Sequence, residues 1–278
     1  MKNNALIDKK AYQLAKDYLP SLGIEGVNAI LIEKYLNPLT LNPKPTSKEG
    51  IYQRILESAQ NANMKAGVIG RAIGGVEKLS LVLHGFNPKA VTDKYMGDWE
   101  AVLDDIVENI KPRGEVRRTS RSIWPHYCQT ILSAAKFVEQ FSSAYDFFGW
   151  IDFFDRDDRA RASLPMLLSQ EIQGFGFALS CDFLKEMGYV NFPKPDVHLR
   201  DIFTALSLCK YKSDDYSLFK AVIRVARNAG VSAYSADKAF WLIGSGNFYN
   251  DIHIGNKGRI GSKKWAFIEY ARTLLQKV

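Results

Sequence analysis

Residues 174–203 read GFGFALSCDFLKEMGYVNFPKPDVHLRDIF, and two features set this stretch apart from an ordinary helical segment. Two glycines stand one residue apart at Gly174 and Gly176, and Asp196 follows the first of them by 22 positions, directly behind a Lys-Pro pair. Glycine tolerates backbone angles and close approaches that other residues do not, so the glycine pair is typical of a tight turn. The stretch therefore joins a turn to a carboxylate at a fixed separation along the chain.

Apolar residues in and around this stretch recur at the spacing of α-helices. The predicted helices span 163–172, 177–187 and 197–208, and Gly188 is a typical C-terminal stop for the second of them. Only residues 173–176 lie between the first two. The pattern predicts a helix-hairpin-helix with its turn at the two glycines.

Such a turn leaves the first amides of helix 177–187 without helical partners, at the positive end of the helix dipole. A surface of this kind binds a phosphate without any charged side chain. A bare Gly-x-Gly between helices is also common as a purely structural turn, and both interpretations stay open at this point.

Asp196 also has two interpretations. Helix 177–187 is about 16 Å long, and the eight residues that follow it reach at most about 28 Å, so the chain can return and set Asp196 near the hairpin. Asp196 can be the N-cap of helix 197–208, a position that aspartate favours. A capping carboxylate that accepts helix amides is expected to stay ionised at neutral pH, which also suits the stabilisation of a cationic transition state.

The remaining chain predicts an all-α protein, because strand-like alternation is almost absent. We predict two helical lobes: residues 1–50 packing with 193–278, and residues 51–192 with the helix-hairpin-helix at 163–187. Further predicted segments are a proline-rich linker at 37–49, a helix or helix pair within 52–73, helices at 98–110 and 123–141, and loops at 84–97 and 111–122.

The composition is that of a globular protein with excess positive charge. The chain has 278 residues, 46% hydrophobic and 24% charged, with a net charge of +7. Segment 111–121 holds five basic residues and one acidic residue, and segment 255–264 holds four basic residues and no acidic one. Lys and Arg side chains there can reach a polyanion; the alternative is that they are solvated loop charges.

Three widely spaced cysteines and four scattered histidines match no metal-ligand pattern, so we expect neither a metal nor a cofactor. No apolar run is long enough for a membrane helix, and we expect a monomer that is cytoplasmic or nucleoid-associated.

The sequence IQGFGFALS, followed by KPDVHL, resembles the helix-hairpin-helix, loop and aspartate signature of the DNA glycosylase superfamily that includes endonuclease III and the alkyladenine glycosylases. Gly174, Phe175 and Gly176 match the hairpin core, and Asp196 with His198 matches the family's Asp-x-His at the right separation. Upstream, ILESAQNAN at 55–63 resembles a family helix that ends in Ser-Ala-Gln and whose glutamine approaches the DNA lesion. The similar segments together cover roughly residues 51–205.

The resemblance implies a two-lobed, all-α, DNA glycosylase-like fold with double-stranded DNA as the partner. It implies catalysis by Asp196 and DNA contacts from Gly174, Phe175, Gly176, Ala178 and Gln60. Trp124, Tyr127 and Phe177 are candidates to stack on a flipped base, although each can equally be a core residue.

This chain departs from the family pattern at two instructive positions. Gln173 replaces the usual proline before the first glycine. Bifunctional members place a nucleophilic lysine two residues after the second glycine, where this chain has Ala178. The four-cysteine iron–sulfur loop of the endonuclease III branch is absent as well. Ala178 at the lysine position favours a monofunctional enzyme that uses water.

The sequence thus supports three functional hypotheses. The first is a monofunctional DNA glycosylase of base excision repair, which flips a damaged or modified base out of the duplex and hydrolyses its N-glycosidic bond. The second is a non-catalytic DNA-binding protein of the same fold, in which Asp196 is only a cap. The third is a bifunctional glycosylase/lyase with a relocated lysine, for which Lys185 and Lys194 are nearest in sequence.

Overall fold

A computed structural model of the chain describes residues 2–37, 43–60, 67–248 and 254–276. The α-helices are α1 (Lys2–Ser21), α2 (Ala29–Leu36), α3 (Lys48–Ala59), α4 (Val68–Ile73), α5 (Pro88–Tyr95), α6 (Trp99–Asn109), α7 (Ile123–Glu139), α8 (Ala144–Arg156), α9 (Ser163–Glu171), α10 (Phe177–Glu186), α11 (Val197–Ala205), α12 (Asp215–Ala229), α13 (Ala233–Ser245) and α14 (Lys264–Leu275). Short 3₁₀ turns occupy Val76–Leu81, His84–Phe86 and Gly255–Gly258. Within the described residues, β-type pairing is limited to an isolated bridge between Asn247 and Arg259. The all-α prediction is confirmed.

Many of these helices begin at a residue whose side chain accepts a backbone N–H of the first turn, an interaction that stabilises a helix by about 1 kcal/mol. These N-cap residues are Asn28, Ser47, Asn87, Asp98, Ser143, Asp196, Asp214 and Ser232. Local sequence therefore fixes where the helices start, while their apolar faces decide how they pack.

The predicted helices around the glycine pair are confirmed, because α9, α10 and α11 lie within the ranges 163–172, 177–187 and 197–208. The predicted helices at 98–110 and 123–141 are likewise confirmed as α6 and α7. The range 52–73 holds most of α3 and then all of α4, and residues 61–66 between them lie outside the described residues, as do 38–42 of the predicted linker.

The predicted loop at 84–97 is wrong, because α5 occupies most of it. Asn87 caps this helix by accepting the Ala90 N–H at 2.9 Å, and Pro88 stands at the first helical position. Proline suits that position, since its missing N–H would have had no helical partner there. The predicted loop at 111–122 is confirmed, with no helix between Ile110 and Ile123.

The chain forms two compact units. The first comprises Met1–Asn42 and Leu184–Val278. In it, α1 packs against α12, α13 and α14, and α13 packs against α2 and α11. Leu199, Phe203 and Phe240 are among the core side chains of this unit. Helix α11, which follows Asp196, thus rests on α13.

The second unit comprises Pro43–Phe183, and α7 is its central helix. Helices α3, α5, α6 and α9 all pack against α7. The Tyr52 hydroxyl on α3 donates to the Ile131 carbonyl on α7 at 2.9 Å. The boundary between the units falls inside α10. The predicted lobe boundaries, at 50 and 192, lie further along the chain, and the lobe assignment stays a prediction.

No helix among the described residues is both long enough and apolar enough to cross a membrane.

Candidate functional site

The turn between α9 and α10 depends on Gly174. Its φ is +86°, in the left-handed region that side chains disfavour. A Cβ at this position would also lie 2.8 Å from the Thr130 hydroxyl oxygen on α7. Both the backbone angle and the neighbouring helix therefore require glycine at 174.

Gln173 fastens this turn to α7 through three hydrogen bonds. Its N–H donates to the Ser133 hydroxyl at 2.9 Å, and its carbonyl accepts from the Thr130 hydroxyl at 2.6 Å. Its side-chain amide donates to the side-chain Oε1 of Gln129 at 3.1 Å. A proline in this position would lack the N–H that Ser133 accepts, so glutamine at 173 gives this hairpin an additional anchor.

Gly176 has no such requirement within the described residues. Its φ is not positive, and a Cβ there would meet no heavy atom within 4 Å. Its carbonyl accepts the Ser180 N–H at 2.9 Å, which is the first bond of α10. The preceding amides of the first turn have no acceptor within the helix. Open space thus lies beside the N-terminus of a helix, where an anion is favoured.

The other hairpin residues separate into inward and outward positions. Phe175 is buried, and its ring lies 5.9 Å from that of Phe183 in an edge-to-face contact. Phe177 and Ala178 are half-buried in the first turn of α10. Phe175 therefore holds the hairpin to its own unit, and the outward surface of the turn is mostly backbone.

Asp196 is the N-cap of α11, as one of its two interpretations predicts. Its Oδ1 accepts the N–H groups of His198 at 2.9 Å and Leu199 at 3.0 Å. Its own N–H donates to the Lys194 carbonyl at 2.9 Å, which closes a tight turn around Pro195. The carboxylate therefore has a defined orientation, and its residue is half-buried.

A second carboxylate, Asp237 on α13, is absent from the residues that the sequence singles out. It is 1% exposed. Its Oδ2 accepts the Lys194 N–H at 2.8 Å and lies 3.0 Å from the Lys185 Nζ. A charged residue on the apolar side of an otherwise Ala-rich helix is the signal available in the sequence, since such a residue is rarely buried without a partner.

The surroundings of Asp196 shift its acidity. Burial raises the pKa of the Asp196 carboxyl above its ordinary value, and the negative charge of Asp237 raises it further. The Leu199 N–H, His198 and Lys194 act in the opposite direction on this pKa. Burial therefore has a larger effect on this pKa than the hydrogen bond from the helix amide. A carboxylate with a raised pKa is a better proton acceptor near neutral pH.

His198 brings α11 close to α13. A Cβ at Gly244 would lie 2.4 Å from the Cβ of His198, so glycine is needed at that crossing. The Nδ1 of His198 is buried and has no hydrogen-bond partner among the described residues. Asp237 and Gly244 are seven residues apart, two helical turns, and so lie on the same face of α13.

The remaining predicted site residues lie within the second unit. Gln60 is the C-cap of α3, and its Oε1 accepts the Gly70 N–H at 3.2 Å. Trp124 and Tyr127 are 3% and 2% exposed, and the Tyr127 hydroxyl donates to the Leu56 carbonyl at 3.0 Å. Neither of these two rings offers an open face, which is the environment of core residues. Phe177 is the more accessible of the three candidates for base stacking.

The two basic segments differ in how much of their charge is paired. In 111–121, Arg117 pairs with Glu115 and Arg118 with Asp104. The other three cations, Lys111, Arg113 and Arg121, are exposed and make no ion pair within the described residues. In 255–264, Lys257 pairs with Glu25 and Lys264 with Asp201. The first segment thus keeps more of its charge available for an anion.

No group of three or more His, Cys, Asp or Glu side chains within the described part of the chain is arranged to hold a metal ion. The described residues do provide a turn with open space beside a helix N-terminus, an oriented carboxylate of raised pKa, and exposed cations.

No protein-family model and no curated protein matches the chain. Among solved structures, the chain is similar to the Methanocaldococcus jannaschii 8-oxoguanine glycosylase/lyase crystallised with a 15mer DNA containing 8-oxoguanine. The TM-score is 0.45 and the sequence identity 14%, and the match covers 82% of this chain and 95% of the other. At this level the likeness assigns no role to any residue of this chain.

Proposed function

We propose that this protein is a monofunctional DNA glycosylase that hydrolyses the N-glycosidic bond of a flipped, damaged or modified base. The observation that carries the proposal is Asp196, an oriented carboxylate at a helix start whose pKa is raised by burial. It stands at the position of the catalytic aspartate in the glycosylase signature that this sequence resembles. Double-stranded DNA is the proposed partner.

The proposed reaction uses the charge of Asp196 and then its basicity. As the bond between C1′ and the base nitrogen breaks, its electrons leave with the base and the sugar becomes cationic. The Asp196 carboxylate stabilises that cation electrostatically. A water oxygen then bonds to C1′, and its proton passes to Asp196 and finally to the departing base. The raised pKa of Asp196 favours proton transfer from the water, and the hydrogen bonds from two helix amides hold the carboxylate in a fixed orientation.

The hairpin supplies the proposed grip on DNA. Gly176 leaves open space beside the first turn of α10, and a phosphate oxygen in that space would lie at the positive end of the helix dipole. Arg113 and Arg121, in the same unit, add exposed positive charge. Such contacts fix the position of the duplex without reading its sequence.

The lyase alternative receives little support from the two nearest lysines. The Lys185 side chain is only 18% exposed, and its Nζ is engaged in an ion pair with Asp237, so it is not available at an open site. The Lys194 backbone, for its part, is fixed between Asp237 and Asp196. Borohydride reduction during turnover tests this point: we expect no covalent protein–DNA adduct, and an adduct would establish a lyase.

The decisive experiment measures base release from duplexes that each carry one alkylated, oxidised or deaminated base. We expect wild type to create abasic sites in at least one of them. Asp196→Asn should lower the rate about 100-fold or more, as expected when a general base is removed, with little change in duplex affinity. Duplex binding without release of any base would favour the non-catalytic alternative. Full activity of Asp196→Asn would show that Asp196 is only a cap.

A further inference from the structure

Helix α13 contacts the segment that carries Asp196 at three places along its length. The residues on both sides of these contacts belong to the first unit. The Tyr234 N–H donates to the Val190 carbonyl at 2.8 Å, upstream of the turn. Asp237 accepts the Lys194 N–H at 2.8 Å. Gly244 admits His198 at the far end of the contact. One face of α13 therefore supports the whole approach to Asp196.

The central contact is a continuous chain of hydrogen bonds. The Asp237 carboxylate accepts from the Lys194 N–H, and the carbonyl of Lys194 accepts from the Asp196 N–H at 2.9 Å. Pro195 lies inside this turn, where its ring fixes φ and leaves few other conformations. A displacement of Asp237 is therefore transmitted through one residue to the backbone of Asp196.

We propose that Asp237 is a positioning residue for Asp196, one that anchors the Lys194–Pro195 turn and places a second negative charge beside that carboxylate. Lys185 is the third member of this arrangement, because its ammonium group offsets the charge of Asp237. The inference deepens the proposed function, on which its catalytic meaning rests. A simple structural anchor would need no charge, since an amide or hydroxyl also accepts one N–H.

Charge explains why an aspartate is used at position 237 despite its burial. Removing a charge from water is expensive, and an apolar or neutral polar residue would avoid that cost. A like charge next to Asp196 raises the affinity of Asp196 for a proton, which a general base requires. Lys185 limits this effect through its ion pair with Asp237.

The other charged groups around α11 form ion pairs with one another. Asp215 of α12 pairs with Arg200, and Lys264 of α14 pairs with Asp201. The charged groups that act on Asp196 directly are Asp237, His198 and Lys194, and Lys185 is linked to Asp196 through its ion pair with Asp237. Changes at Asp237 and Lys185 should therefore be visible in the titration of Asp196.

The test is a carboxyl-carbon NMR titration of the full chain without DNA, labelled at aspartate, with the Asp196 signal identified by its absence in Asp196→Asn. In Asp237→Asn, the new amide still accepts the Lys194 N–H but the negative charge is gone, so the Asp196 midpoint should fall. In Lys185→Gln, Asp237 keeps its charge without this cation, so the Asp196 midpoint should rise.

Asp8→Asn is the matched control. Asp8 is also 1% exposed and lies in the same unit, where it accepts from Arg224 and Asn228. We expect this control to lower stability and leave the Asp196 midpoint in place. Opposite shifts in the two test variants support the inference. An unmoved midpoint, shifts of one sign in both, or an equal shift in Asp8→Asn would overturn it.

This readout does not need activity, so it separates the two proposals. If wild type releases no base from any duplex, the proposed function fails while the titration still decides the role of Asp237. Should the Asp237 variant not fold, Lys185→Gln alone retains the prediction of a raised midpoint.

Discussion

Asp196 is held where its negative charge is unfavourable for the fold. Burial and Asp237 both act against the ionised form, and the helix amides only partly compensate. A cap that served folding alone would not need this charge, because the neutral side chain of asparagine accepts the same hydrogen bonds from the helix amides. Catalytic groups commonly lie in such environments, because catalysis requires a shifted pKa even where that shift lowers stability.

The raised pKa of Asp196 gives a prediction about stability that is independent of any substrate. This pKa is higher in the folded state than in the unfolded chain, so the folded state holds the proton more tightly. Wild-type stability should therefore decline as pH rises through the folded pKa, and the penalty should vanish below the unfolded value. Asp196→Asn removes this penalty. At neutral pH we expect the variant to be at least as stable as wild type.

Urea unfolding at a series of pH values measures this difference. The advantage of the asparagine variant should shrink as the pH falls toward about 4, near the pKa of an unfolded aspartate. Asp214→Asn is a suitable control, because Asp214 is also an N-cap but the pKa of its carboxyl is lowered by bonds from Ser217. The control should lose stability at neutral pH. A similar loss in Asp196→Asn would mean that Asp196 serves the fold.

Sequence reasoning locates Asp196 but not Asp237, and the reason is physical. Asp196 follows a glycine turn and a proline within one short stretch, so chain geometry alone relates them. Asp237 meets Lys194 only because α13 packs beside that turn, a tertiary contact between residues distant in sequence. The burial that raises the pKa of Asp196 has the same tertiary origin.

At the level of elements, the hairpin shows what local sequence can determine. Apolar spacing and two glycines are enough to predict α9, α10 and the turn between them. The attachment of the turn to α7 through Thr130 and Ser133 could not be predicted, since nothing local relates them to Gln173. In the case of α5, the sequence does contain the signal, an Asn-Pro pair, but such a pair is typical of loops as well as of helix starts.

The two glycines of the hairpin should respond differently to the same small change. Gly174→Ala forces a side chain into a left-handed backbone and against Thr130, so we expect a loss of about 1–3 kcal/mol in the free energy of unfolding. Gly176→Ala meets open space, so its stability should stay within about 0.5 kcal/mol of wild type. Thermal or urea unfolding of the two variants measures this contrast.

For duplex affinity, in contrast to stability, we expect the substitution of Gly176 to have a large effect. If a phosphate approaches the first amides of α10, the added methyl group of Gly176→Ala occupies its space, and affinity should fall by about tenfold, or 1.4 kcal/mol. Fluorescence anisotropy with an unmodified duplex provides the measurement. Gly149→Ala, within α8 and also without a neighbour inside 4 Å, is the matched control for an added methyl group. Unchanged binding by Gly176→Ala would make the hairpin structural only.

For the molecule as a whole, the net charge of +7 matters less than where unpaired cations lie. Many basic side chains are already committed to ion pairs, among them Arg117, Arg118, Lys257 and Lys264. A paired cation releases fewer counterions from DNA, because its own carboxylate partner competes with phosphate. Arg113 and Arg121 are exposed and make no ion pair within the described residues, so they are the better candidates.

The final prediction concerns the salt dependence of binding. The logarithm of the duplex association constant should fall linearly with the logarithm of salt concentration, and the slope should decrease in size by about 0.9 for each phosphate that the protein no longer neutralises. We expect Arg113→Gln and Arg121→Gln each to reduce the slope by up to this amount, equally for duplexes of different sequence. Arg156→Gln is the control: Arg156 is exposed in the same unit, but its side chain donates to the Asp152 carbonyl. If both test variants kept the wild-type slope while Gly176→Ala still weakened binding, phosphate recognition would be assigned to the hairpin backbone without the loop at 111–121.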